Sequence, residues 1–168
     1  MPIEVIEMGE EAEIQRFQKN IVLIRKLAGW TAEEFANKVG ITRQTMSNIE
    51  NNKSKLSKTQ YIAMRFVLKE LIAYPYANMD RKKNKKEEGV DDILAWVLEM
   101  IVDNPQNYSD NDREIVLRKA NAFASAIINN TSTREEASKD FLDILKVAGI
   151  TVGAIVIGII GFKGIKKL

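Results

Sequence analysis

The stretch FANKVGITRQTMSNIE, residues 35–50, predicts two short helices joined across a tight turn. Just upstream, Thr31 and Glu34 stand in the capping-box relation, each side chain serving an exposed amide, so the first helix starts at Ala32. Phe35, Ala36 and Val39 recur at helical spacing and bury one face. Gly40 then supplies the left-handed residue that a sharp turn needs. Thr42 caps the second helix, in which Met46 and Ile49 lie one turn apart and face inward. Its outward stripe is Arg43, Gln44, Ser47, Asn48 and Asn51. These residue types fork onto base edges, Arg onto guanine and Gln or Asn onto adenine, at roughly 1–3 kcal/mol of discrimination per good bidentate pair.

A capped two-helix corner also occurs in helical proteins that never meet nucleic acid, and any solvated helix has a polar face. Charge tips the balance between the two cases. From Ala12 to Ser57 there are eight cations (Arg16, Lys19, Arg25, Lys26, Lys38, Arg43, Lys53 and Lys55) against four acids (Glu13, Glu33, Glu34 and Glu50). A basic module suits a polyanionic partner. The net charge of the whole chain is only +2, because Glu4, Glu7, Glu10 and Glu11 offset the module. Distribution therefore matters more than the total.

From IRKLAGW through TAEEFANKVGITRQTMSNIENNK the sequence resembles the lambda-repressor-like, or Xre-type, helix-turn-helix family, over residues about 14–73. The resemblance implies a five-helix domain whose second short helix enters the major groove of double-stranded DNA. It assigns DNA contact to Thr42, Arg43, Gln44, Thr45, Ser47, Asn48, Asn51 and Lys53. Within that set Arg43, Gln44 and Asn48 read bases, while Asn51 and Lys53 hold phosphate. It also implies a structural ion pair, Arg25 with Glu50, that fastens helices together rather than touching DNA. Three positions depart from the family pattern. Ala32 stands where a phosphate-holding Gln is common, Asn52 replaces a common Gly and Leu56 a common Pro. Asn tolerates the left-handed region, so the turn is expected to survive.

The composition leaves little for catalysis. Among 168 residues there is no cysteine and no histidine, which excludes thiol chemistry, disulfides, zinc sites built on those ligands and serine–histidine hydrolysis. No phosphate-cradling glycine loop is present. The acidic pairs Asp91–Asp92 and Glu135–Glu136 read as helix-dipole partners rather than metal ligands. An enzyme is not expected, and no cofactor or metal is implied.

Organisation along the chain is read as all-α. The helix-turn-helix domain occupies residues 12–77 and ends in a helix opened by a Ser57–Gln60 capping box. Tyr61, Met64, Phe66, Val67, Leu68, Leu71 and Ile72 pack that helix back, and Pro75 is expected to end it. Residues 78–89, with five cations between Arg81 and Lys86, form a charged linker. A small helical segment follows over 90–146. One apolar helix there contains Trp96 and breaks near Pro105; another starts at Ser109 and points Val116, Ala120, Phe123 and Ile127 inward. A last one is opened by Thr133 and Glu136 and runs through Phe141, Leu142 and Leu145. Three helices make a small core, so dimerisation or docking on the first domain is expected to support it.

Residues 147–165 form a hydrophobic C-terminal helix. VAGITVGAIVIGIIGF, residues 147–162, carries no charge, and Gly149 and Gly153 make a GxxxG face. Counted back to Ile144, a helix here spans about 28 Å, near the roughly 30 Å of a hydrocarbon core. This favours a membrane anchor over a helix buried in an oligomer or a disordered or interfacial tail, although Lys163, Lys166 and Lys167 run against the positive-inside bias. The acidic amino terminus lacks a signal-peptide core, so the head is expected in the cytoplasm. The functional expectation is a DNA-binding transcriptional regulator, a repressor acting as a homodimer and membrane-anchored by its tail. The alternative is a membrane-associated scaffold that docks a protein partner on the same head.

Overall fold

A computed structural model describes residues 3–77 and 93–129, together with Phe141, Asp143 and Val147; the charged linker, the Thr133–Glu136 cap, both acidic pairs and the rest of the hydrophobic tail lie outside them. The described elements are all helical. Helix α1 covers Ile3–Leu27, α2 Ala32–Val39, α3 Arg43–Glu50 and α4 Lys58–Ala77. Helix α5, Ile93–Val97, passes without a break into a π-helical segment, Leu98–Asp103. A 3₁₀ turn at Pro105–Asn107 leads to α6, Asp110–Ile128.

Helix α1 reaches well upstream of the basic module, where an acidic stretch suits the positive end of a helix dipole. Its buried stripe is Phe17, Ile21, Ile24 and Leu27. Gly29, at φ 78°, turns the chain out of it. Helix α2 starts at the Thr31–Glu34 capping box, with both reciprocal hydrogen bonds formed. It stops at Gly40, at φ 82° and ψ 30°, whose N–H returns to the Ala36 carbonyl at 3.0 Å. Phe35, Ala36, Met46 and Ile49 are all fully buried, so the corner is closed from inside.

The Ser57–Gln60 capping box opens α4. Tyr61, Met64, Leu68 and Ile72 make its buried stripe, and Tyr61 meets Phe17 edge-on at 5.1 Å. Two expectations for this helix need correcting. Phe66 is 54% exposed, as is much of Ile62, because the stripe through residues 61, 64 and 68 leaves them on the other side. The helix also continues past Pro75 to Ala77; in a last turn the ring forfeits a single main-chain bond, which does not stop it.

Every residue from Ile93 to Val102 is buried, Trp96 completely. A helix buried all round belongs inside a core. Here the core is shared, since these side chains form one cluster with Phe17, Ile24, Leu68 and Val116. The segment docks on the first four helices through polar contacts as well. Arg16 Nε donates to the Val102 carbonyl at 2.7 Å, and Arg65 forks onto both oxygens of Asp103 at 2.9 and 2.8 Å. Burial alone would lower the Arg65 pKa, but the Asp103 carboxylate, with Tyr61 and Glu13 adding to it, raises it on balance. Tyr61 donates to Glu13 beside this pair, and burial pushes its phenol upward. Glu99, buried among apolar neighbours, accepts from Asn104 Nδ2 on both oxygens.

Ser109 caps α6 by accepting from the Asp112 N–H at 3.1 Å. Val116, Ala120 and Ala124, spaced four apart, give α6 a small-residue face with which it packs on α1 and α5. Phe123 and Ile127 flank that face, half-buried; Ile127 reaches the Gly29 turn and Phe123 stands edge-on to buried Phe141.

Candidate nucleic-acid interface

Helix α3 is held by its inner face and by one ion pair. Arg25 Nε lies 2.6 Å from one Glu50 oxygen and Nη2 3.3 Å from the other, with both side chains about nine-tenths buried. The same guanidinium donates through Nη1 to the Trp30 carbonyl at 2.9 Å. One arginine thus joins the end of α1, the turn before α2 and the end of α3. The α2 side of the corner is further braced by Trp30, which stacks near Phe35 at 5.6 Å and carries Lys38 Nζ 5.0 Å over its ring.

The outer face of α3 is polar and open. Thr42, Arg43, Gln44, Asn51 and Lys53 are exposed, and Thr45, Ser47 and Asn48 are half-buried. Several of these side chains are paired along the helix. Gln44 Nε2 donates to Asn48 Oδ1 at 3.0 Å, Asn51 Nδ2 to the Ser47 carbonyl at 2.8 Å, and the Thr42 and Thr45 hydroxyls lie 2.9 Å apart. Thr42 Oγ1 also accepts from the Thr45 N–H, so its hydroxyl is an N-cap as well as an exposed donor. Arg43 and Lys53, by contrast, have no ion-pair partner among the described residues. Exposed amides and cations without a counter-charge suit a base-edge and phosphate surface.

The loop after α3 carries Asn51 and Lys53 in a fixed shape. Asn52 takes φ 56°, the left-handed geometry that Asn tolerates in place of the glycine common in the family. The Lys53 and Ser54 N–H groups both return to the Asn48 carbonyl, at 2.8 and 3.2 Å. Leu56, in place of the common proline, is 5% exposed and anchors the far end. A groove between α1 and this loop is lined by Lys19, Lys53, Lys55 and Lys58 together with Glu10 and Glu11. Lys58 is already paired with Glu10 at 2.8 Å.

Sequence reasoning missed Gln18, which reaches this loop from α1. A signal was present: Gln18 lies seven residues before Arg25, two turns along the same face, and that face meets α3. The Arg65–Asp103 fork had no such signal, since nothing local ties residues 38 apart.

The helix-turn-helix family matches residues 21–64. Over 74 residues, 44% of this chain, the sequence is 32% identical to antitoxin HipB of Escherichia coli O6:H1 strain CFT073, covering 74% of that protein. It is 31% identical over 74 residues to antitoxin HipB of Escherichia coli strain K12, covering 80% of it. No solved structure matches the chain. Together with these matches, the all-helical head, its capped corner and its open polar helix define a DNA-binding regulator of transcription. The chain belongs to the lambda-repressor-like, Xre-type helix-turn-helix family.

Proposed function

We propose that the protein binds a pseudo-palindromic DNA operator as a homodimer and represses transcription by occluding it. In this reading α3 lies in the major groove, with Arg43 on guanine and Gln44 and Asn48 on adenine edges. Asn51 and Lys53 hold the adjoining phosphates, and Thr42, Thr45 and Ser47 line the groove wall. The observation that carries it is an exposed guanidinium-and-amide stripe, Arg43, Gln44 and Asn51, on a short helix whose opposite side, Met46 and Ile49, is fully buried. Two recognition helices about 34 Å apart would meet successive major grooves of one duplex.

The test is selection of bound fragments from random DNA by the full chain, repeated with Gln44→Ala. A single sequence family is expected for the wild type, and Gln44→Ala should relax one or two positions in it at roughly 1–3 kcal/mol. Identical selections from both proteins would remove α3 from the reading role. The head is read as cytoplasmic and residues 147–165 as its anchor, on the grounds of the uncharged run 147–162 within them and its GxxxG face. Among the described residues no helix is long and apolar enough to cross a membrane. Fractionation of cells making the full chain, with and without residues 147–168, separates the cases: the full chain is expected in membranes, and its recovery in the soluble fraction would contradict anchoring.

A further inference from the structure

We propose that Gln18 of α1 is a positioning residue for DNA-backbone binding, one that sets where the Asn51–Lys55 loop stands relative to the recognition helix. The inference rests on the DNA-binding reading given above and deepens it. The carboxamide of Gln18 makes three hydrogen bonds, all to main chain. Nε2 donates to the Ile49 carbonyl at 3.1 Å and to the Ser54 carbonyl at 2.8 Å, and Oε1 accepts from the Leu56 N–H at 2.9 Å. One side chain therefore clasps the last turn of α3 and the far limb of the loop together. Both donor hydrogens and the acceptor are used, which only a carboxamide of this length can do.

Gln18 lines the same groove as Lys53, one of the side chains it positions. Asn51 and Lys53 project to solvent from the span it closes, between Ile49 and Ser54. Inside that span Asn52 is left-handed, and Asn48 accepts from two successive N–H groups. Those bonds shape the bend; the Gln18 bonds fix its position on α1. Without them the loop keeps its local turn but is no longer held at one distance from α3. Phosphate contacts need a set register, whereas base contacts are made from α3, which Met46, Ile49 and the Arg25–Glu50 pair hold independently. Gln18 should therefore affect affinity without affecting sequence preference.

The experiment measures binding of the full chain to its selected duplex and to a random-sequence duplex over a range of salt. Proteins compared are wild type, Gln18→Met, Asn51→Ala/Lys53→Ala, and the combination of all three changes. Gln18→Met should weaken both duplexes by the same factor, about tenfold, and reduce the salt slope by about one. Added to Asn51→Ala/Lys53→Ala it should cause little further loss, because the groups it positions are already gone. Full additivity, an altered base preference, or unchanged affinity would each overturn the proposal. If Gln18→Met does not fold, Gln18→Glu is read in its place, since it keeps the acceptor for Leu56 N–H and loses both donors. Failure of both variants to fold would assign Gln18 to the core and overturn the proposal too. A wild-type chain that binds no duplex would sink the DNA-binding reading itself, whereas wild-type binding with unmoved variants would sink the role of Gln18 alone.

Discussion

Arg25 illustrates how single side chains decide the geometry of this head. Its guanidinium is nearly buried and satisfied by Glu50 and the Trp30 carbonyl. Arg25→Met should therefore destabilise the fold by about 3 kcal/mol, chiefly because Glu50 is left with its charge unpaired. Arg25→Met/Glu50→Leu should recover much of that loss in a thermal melt; a double variant no better than the single one would show that the pair is not what holds α3. Glu34 offers a pH test. The Thr31 N–H, then the Thr31 hydroxyl, hold its carboxyl below the ordinary 4.5. A lowered folded pKa means that the unfolded chain takes up the proton first. The stabilising contribution is therefore present above about pH 4.5 and lost as pH falls through the folded value. Glu34→Ala should melt below wild type near neutral pH, and the gap should close in acid. The side chains of α3 were legible before any coordinates, because caps, turn glycine and two inward apolar residues fix which way each one points. For Gln18 only the face was legible, two turns before Arg25; its partners were not, since carboxamide-to-backbone bonds across 31 to 38 residues leave no period in the sequence.

Among the elements, the one from Ile93 to Asp103 departs most from an ordinary surface helix. Its first ten residues are all buried, and its second half is π-helical. An apolar run of this kind announces burial but not what it is buried against, so sequence left docking and dimerisation equally open. The structure supplies the docking through the Val102 carbonyl and the Asp103 carboxylate, groups that ion-pair spacing rules do not reach. Trp96→Ala should cost about 3–5 kcal/mol of stability in denaturant unfolding, as expected for an aromatic removed from a closed core. Arg65→Ala should cost less, about 1–3 kcal/mol, by leaving Asp103 half-buried without its partner. Both should reduce DNA binding only in proportion to the unfolded fraction, with base preference retained. A changed preference in either would place the accessory helices in contact with DNA.

At the scale of the whole molecule, the described helices share one core, which binds the recognition corner to a segment far along the chain. The full protein should accordingly unfold in one cooperative calorimetric transition. Residues 1–78 alone, with α1 stripped of α5 and α6, should melt at lower temperature and bind an apolar dye. Two resolved transitions in the full chain would contradict a shared core. The central claim, however, concerns groove entry by α3, and the most direct measurement is dimethyl sulfate protection of guanine N7 in the selected duplex bound by the full chain. Protection of major-groove guanines is expected in each half-site, with one position in each becoming reactive again when Arg43→Ala is bound at saturation. Guanine reactivity that stays unchanged by saturating wild-type protein, or protection that Arg43→Ala leaves intact, would contradict it.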